Sequence, residues 1–249
     1  MTDLHAVPIR AVIRKELRDY RRRRSIVVTM SVLPCIFLIN PVLTVFLTSA
    51  STATAALDQT VRLSLVFFLI IPVIMPSTLA AYSVAGEREQ GTLEPLLTTP
   101  IRRQEFILGK AAAIMIPTVA LSYTVFGLFL AAVRLFANSV VASALFHQGP
   151  ILLALFLFTP LLAAWAIVVG MAISVRASEI RMAQQLGMLA TVPLIGLFVL
   201  LAVGTIRATF LVAILFAVGL LVIDVRAARV VARMFDRERL VTGAKAARQ

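Results

Sequence analysis

Residues 25–48, SIVVTMSVLPCIFLINPVLTVFLT, contain no charged side chain. A run of this length restricts the fold before any other feature is considered. About 20 apolar residues in an α-helix cross a hydrocarbon core about 30 Å thick. In that core every backbone N–H and C=O must be satisfied internally, which leaves only helices or closed barrels. No stretch alternates apolar and charged residues as a barrel strand would. Further apolar runs predict six spans in all, at 26–48, 61–84, 111–133, 151–175, 187–205 and 208–225. The chain is 60% hydrophobic and 14% charged, whereas soluble domains are about half apolar and a quarter charged. The expected fold is an all-α integral membrane protein forming one domain over 1–249. Residues 1–25 form an amphipathic segment, 26–225 the six-span bundle and 226–249 a basic tail. Residues 187–225 are nearly continuous in their apolarity, and only Gly204, Thr205 and Arg207 mark a reversal. They fit two spans, or a re-entrant segment followed by one span.

Orientation follows from where Lys and Arg fall, because basic residues are retained in the cytoplasm. Eight lie in the first 25 residues, four in 85–110, two in 176–186 and seven in the tail; only Arg62, Arg134 and Arg207 lie on the other side. Both termini are expected in the cytoplasm of a cell with the chain in its cytoplasmic (inner) membrane, which requires an even number of spans. The net charge of +12 is then a topology signal, and nucleic-acid binding is set aside. The small residues STATAA at 51–56 resemble a cleavage site, but the apolar run before them is about twice a signal-peptide core of 7–15 residues, so the first span is read as uncleaved. The single cysteine, Cys35, lies within that span and leaves no disulfide to form.

Residues 4–24 carry Ile9, Ile13, Leu17 and Tyr20 on one helical face and Arg10, Arg14, Lys15, Arg18 and Arg21 around the rest. This pattern predicts a helix lying among headgroups. In the tail, Arg226, Arg229, Arg233 and Arg237 recur at three- and four-residue spacing as a basic stripe, for which anionic lipids are the default partner.

Several chemistries are absent. No charged residue lies near the middle of a predicted span; Asp224 is placed at the cytoplasmic end of the sixth. Ion-coupled transporters keep such groups inside the membrane. The two histidines, His5 and His147, fall on opposite sides, so no HExxH metal site exists. No acidic pair suits hydrolysis, the Ser and Thr residues lack a His base, and no G-x-x-x-x-G-K-[ST] phosphate loop occurs. The chain is expected not to be an enzyme and to hold no metal. Asn40, Thr44, Ser64, Ser77, Thr78, Tyr82, Thr118, Ser122, Tyr123 and Thr159 read as hydrogen bonds between helices. Prolines 34, 41, 72, 76, 117, 160 and 193 read as kinks. The scattered methionines are gap-fillers rather than a metal path.

The exception to this uncharged character is GEREQGTLEPLLTTPIRRQEFILGK at 86–110, with four acidic and four basic residues. Thr92 is placed to cap a turn containing Leu93, Glu94 and Pro95. Thr99 and Pro100 begin a second helix leading into the third span. Leu93, Leu96 and Leu97 make a small apolar face rimmed by charge, the composition of a docking surface. A solvated connector is the alternative reading of the same residues.

This segment, placed right after a second span, resembles the signature of type-2 ATP-binding-cassette (ABC) permeases. The matching positions are Glu87, Glu89, Gly91, Thr92, Glu94, Leu96, Leu97, Thr99, Pro100, Gly109 and Lys110. The resemblance implies a permease subunit of an exporter for a hydrophobic or amphipathic substrate. It would dimerise with a second copy and pair with two cytoplasmic ATPase subunits. Those partners would bind ATP and Mg, with no cofactor in this chain. Residues 86–110 would be the coupling helix, with Leu93, Leu96 and Leu97 as anchors and Glu87, Glu89 and Glu94 setting register and holding the junction with the second span. The alternative is a non-transporting membrane subunit that passes mechanical work to an extracytoplasmic partner. Drug, lipid, sodium and metal-related export all occur among such permeases, and no residue set here selects one.

Overall fold

Arg24–Leu47 form one helix, α2, which continues through Pro34 and Pro41 and contains the first apolar span, Ile26–Leu47. The computed structural model of the chain describes residues 6–48, 54–83, 85–89, 91, 103–177, 179–203 and 209–234. Among the described residues every regular element is helical. Before α2 lies α1 (Ala6–Arg22), joined to it through Arg23. The second span is built in pieces: α3 (Thr54–Val66), a 3₁₀ turn (Phe67–Ile70), α4 (Ile71–Ala81) and α5 (Ala85–Glu89). Pro72 explains the tightened turn, since it has no N–H to continue the α ladder and is tolerated in the first turn of α4.

The third span is α6 (Arg103–Phe136), followed by the short α7 (Ser139–Phe146), whose first free amide, Val140 N–H, donates to the Asn138 side chain at 3.0 Å. The fourth span is α8 (Gly149–Arg176). The fifth is α9 (Ile180–Leu189) with α10 (Val192–Val203), and the sixth is α11 (Phe210–Met234). Six segments are long and apolar enough to cross a membrane: Ile26–Leu47, Ala55–Glu87, Gln104–Phe136, Gly149–Arg176, Ile180–Leu200 and Phe210–Ala232. The chain is a multi-pass membrane protein.

The ambiguity over 187–225 is resolved by packing. α9 packs on α4, at one end of the second span, and α10 packs on α3, at its other end. The fifth segment therefore traverses the bundle, and two spans replace the re-entrant alternative. The helices also extend past the expected boundaries. The second span begins near Ala55, the third near Gln104 and the fifth near Ile180, and α7 occupies part of the expected 134–150 connection. At the start of the second span the polar residues that would end a helix are instead tied together. Arg62 Nε donates to Gln148 Oε1 at 3.1 Å, and Gln148 Nε2 donates to Asp58 Oδ1 at 3.4 Å.

The second span is central, with 78% of its most apolar stretch buried against 19% for the first span and 22% for the sixth. Its tightest partner is α8. A Cβ added at Gly170 would lie 2.6 Å from Ala80 Cβ, so the two backbones meet over small residues, as membrane helices do when dispersion drives their association. Buried side chains form one cluster at the end of the bundle away from α1, around Leu65, Phe68, Leu145 and Phe158. A second cluster lies at the end that α1 covers, around Tyr20, Ile26, Met75 and Ile114. We call these the distal and basal ends.

Most hydroxyls in the spans do not bridge helices as expected. Ser64, Ser77, Thr78, Thr118 and Thr159 donate to carbonyls three or four residues earlier in their own helices. In a poorly hydrated interior the nearest carbonyl satisfies the hydroxyl without requiring a neighbour. Tyr123 does reach across, donating to Phe156 O at 2.8 Å.

Candidate functional site

The basal end holds a cluster of ion pairs at the root of the 86–110 segment. Lys110, on α6, has a side chain only 2% exposed; its Nζ lies 2.8 Å from Glu87 Oε1 on α5 and 3.0 Å from Glu16 Oε1 on α1. Lys15, on α1 and 45% exposed, is 3.2 Å from Glu87 Oε1 and 3.4 Å from Glu16 Oε1. Two acids and two bases from three elements thus neutralise one another. A buried charge is tolerable only when it is paired and hydrogen-bonded in this way. Lys110 Nζ also lies 5.1 Å from the centre of the Phe106 ring, a distance at which the ring face attracts a cation.

The geometry sets the protonation states on α1. Burial alone would push the Glu16 carboxyl up, but Lys110 and then Lys15 outweigh it and hold the group below its ordinary value. Burial alone would lower Lys15, yet Glu16 and Glu87 leave its ammonium raised. Burial, with Glu16 adding to it, pushes the nearby Tyr20 phenol well above its ordinary value. Charged Glu16 and Lys15 are therefore the stable forms at neutral pH.

Helix α1 reaches Lys110 because it packs directly on α6. A Cβ at Gly109 would sit 2.7 Å from both Val12 Cβ and Cγ1, so the close approach requires glycine there. Val12, Glu16 and Tyr20 are buried, and Ile13 and Leu17 pack against the basal cluster. The apolar face of α1, expected to rest among headgroups, is covered largely by the bundle, while Arg10, Arg14, Arg18 and Arg21 are exposed.

The short helix α5 is fastened on its remaining sides. Ala85 N–H donates to Ser174 Oγ at 3.0 Å, and Ser174 Oγ donates to Ala81 O at 2.8 Å, stapling the break between α4 and α5 to the fourth span. Glu89 Oε1 accepts from Ile180 N–H at 2.8 Å, meeting an unpaired donor at the start of α9. Gly91 follows with φ +68° and is exposed, a left-handed conformation that costs other residues about 1 kcal/mol or more. Helix α5 is thereby tied to the third, fourth and fifth spans and to α1.

Of the residues singled out from sequence, Glu87, Glu89 and Lys110 are brought to this hub, and Gly91 and Gly109 adjoin it. Thr92, Leu93, Glu94, Leu96, Leu97, Thr99 and Pro100 lie outside the described residues. Sequence reasoning missed Glu16, Lys15 and Ser174 as parts of one site. Glu16 carried a readable signal, because it continues the Ile9–Ile13–Tyr20 stripe as an acid on an otherwise apolar face. Ser174 carried none.

Comparison with known protein families matches residues 10–227 to the family described as ABC-2 family transporter protein. No curated protein matches the chain.

Proposed function

The chain belongs to the ABC-2 transporter family, and from that premise we propose that it is the permease subunit of an ATP-driven exporter for a hydrophobic or amphipathic substrate. The observation that carries this reading is the Glu87–Lys110 pair at 2.8 Å. It joins the two ends of the 86–110 segment and ties both to Glu16 of α1. A segment clamped at its base moves with the spans that carry it.

In this mechanism the segment seats in a groove of a cytoplasmic ATPase subunit through Leu93, Leu96 and Leu97, with Thr92, Glu94, Thr99 and Pro100 shaping its turns. Two ATPase copies serve two copies of the permease, and ATP and Mg are held by the ATPases. Nucleotide-driven closure moves the segment. Glu87 and Lys110 carry that motion into the second and third spans, Glu89 carries it to α9, and Ser174 to the fourth span. Inward-facing Glu87 acts as the anchor of the segment to the bundle rather than as a contact with the ATPase. The basal end is the cytoplasmic side of the inner membrane, with both termini there. The exposed arginines of α1 and Arg226 and Arg229 of α11 face anionic headgroups.

The test is a crosslink. With Cys35→Ser removing the native thiol, Leu96→Cys in the full chain is treated with a thiol-to-amine crosslinker in its native membrane. The adducts are then identified by mass spectrometry. The expected product is a soluble protein carrying a phosphate loop. Consistent absence of any such adduct, with the chain correctly inserted, would refute the docking role. The double variant Glu87→Ala/Glu89→Ala is expected to lose transport and substrate-coupled ATP hydrolysis while inserting normally.

A further inference from the structure

Asp224 lies deeper than the sequence suggested. It sits on α11 seven residues, about 10 Å of helix, before Val231, which belongs to the same buried cluster as Ile26 at the start of the first span. Its residue is 5% exposed, and among the described residues neither carboxylate oxygen has a hydrogen-bond partner. Among the described residues the buried hydroxyls of Ser64, Ser77, Thr78, Thr118 and Thr159 bond within their own helices, and the buried charges Glu16, Glu87 and Lys110 meet one another. A carboxyl with both oxygens orphaned calls for a ligand.

The surroundings narrow the choice. Helices α8 and α11 pack on each other and run in the same direction, since Ala154 and Ala213 line one apolar groove and Val168 and Ala227, each fourteen residues further on, line another. The same progression places Trp165 near the level of Asp224, and among the described residues the Trp165 indole N–H is likewise buried without a partner. A groove of about 460 Å³ lies on the distal side, with Phe158, Phe198, Phe216 and Ile223 among its walls. A second, of about 360 Å³, lies on the basal side between Val168, Ala172, Ala227 and Val231. The stretch of α8 and α11 between the two grooves carries Trp165 and Asp224. Arg176, which borders the basal groove, is eleven residues beyond Trp165 on α8, about 16 Å along the axis. On α11 itself Arg226 and Arg229 are exposed, and none of the three forms an ion pair with Asp224.

We propose that Asp224 is the recognition group for a lipophilic cation, an amine or quaternary ammonium on a hydrocarbon or aromatic body. The body lies in the adjoining groove, the cationic head meets the Asp224 carboxylate, and the Trp165 ring offers its face to the same charge. A carboxylate without a partner in apolar surroundings gains most from a cation that brings its own apolar body. This assignment rests on the exporter reading for the direction of movement but not for binding.

The probe is built in, because Trp165 is the one tryptophan of the chain. The full chain in lipid nanodiscs is titrated with bromoalkyl amine, alcohol and carboxylate of equal chain length at neutral pH, and quenching of Trp165 emission by bromine is followed. The amine is expected to quench saturably, while the alcohol and carboxylate show only the linear quenching of bilayer partitioning. In Asp224→Asn the amine should bind at least about tenfold more weakly, the scale of one charge contact in a poorly hydrated site, while Asp224→Glu stays within a few-fold of the wild type. Equal saturable quenching by all three probes, or by the amine in wild type and Asp224→Asn, would overturn the proposal. So would equal loss in the Asn and Glu variants, which would mark damaged packing rather than lost charge. The Leu96 crosslink is independent of this titration, so failure of either reading leaves the other standing.

Discussion

Replacing Lys110 by methionine should reverse the sign of what Glu87 does. In the native cluster Glu87 Oε1 and Glu16 Oε1 lie 2.8 and 3.0 Å from one ammonium, so the two oxygens are no more than about 6 Å apart. Without Lys110 they repel; at an effective dielectric of about 20 the repulsion is about 3 kcal/mol. Lys15 remains within 3.4 Å of both, but at 45% exposure it is screened by solvent and offsets only part. The same order of loss, about 3 kcal/mol, is expected when one partner of a buried pair is removed. The assay is unfolding of the purified protein in mixed micelles of rising denaturing detergent, followed by Trp165 emission. Glu87→Gln alone should destabilise, because Lys110 loses its 2.8 Å partner. In the Lys110→Met background the same change should stabilise by about 1 kcal/mol or more, because it removes one of two repelling carboxylates. A change of sign does not depend on absolute calibration. If Glu87→Gln destabilises equally in both backgrounds, the two sites are independent and the clamp does not exist.

Other outcomes follow from the same hub. Gly109→Ala should lower stability by about 1–3 kcal/mol through overpacking on Val12, and Val12→Ala should restore most of it, both read by thermal unfolding. Glu89→Ala removes the acceptor for Ile180 N–H and should cost about 1 kcal/mol; hydrogen exchange should speed up in the first turn of α9 before it does elsewhere. The contributions of Glu16 and Lys15 should be insensitive to pH across the neutral range. Glu16 is held below its ordinary value, so its contribution is complete above the ordinary glutamate pKa of about 4.3 and lost only as pH falls through the depressed value. Lys15 is raised, so its contribution is complete below the ordinary lysine pKa of about 10.4 and lost only as pH rises through the raised value. The protection factors of the α1 amides, exchange rates divided by the intrinsic rate at each pH, should therefore stay flat from about pH 5 to about pH 10 and fall outside that window.

The spans were legible because a membrane imposes a single requirement, a long apolar helix, which can be read without knowing what packs on what. Helix ends were less legible, because a charge such as Arg62 or Asp58 signals termination only if it lacks a partner, and Gln148, about 90 residues away, cannot be paired with them by inspection. The same limit hid the hub. Glu87 and Lys110 were found through a local pattern, but their pairing was not, and Lys15 and the acid that completes the balance, Glu16, lie at the other side of two spans. Residue types in a membrane protein say little about pairing, since nearly every charge at a span end is compatible with water as well as with a partner. An exception arises when a charge interrupts an apolar stripe, for the face then has to be buried and the charge has to be met there. Glu16 on the Ile9–Ile13–Tyr20 face and Asp224 on the face of Ala217, Leu220 and Val231 are both of this kind. The first is met by Lys110 within the chain. The second is met by nothing among the described residues, and that difference separates an acid that fastens one element to another from an acid left open to a cation from outside.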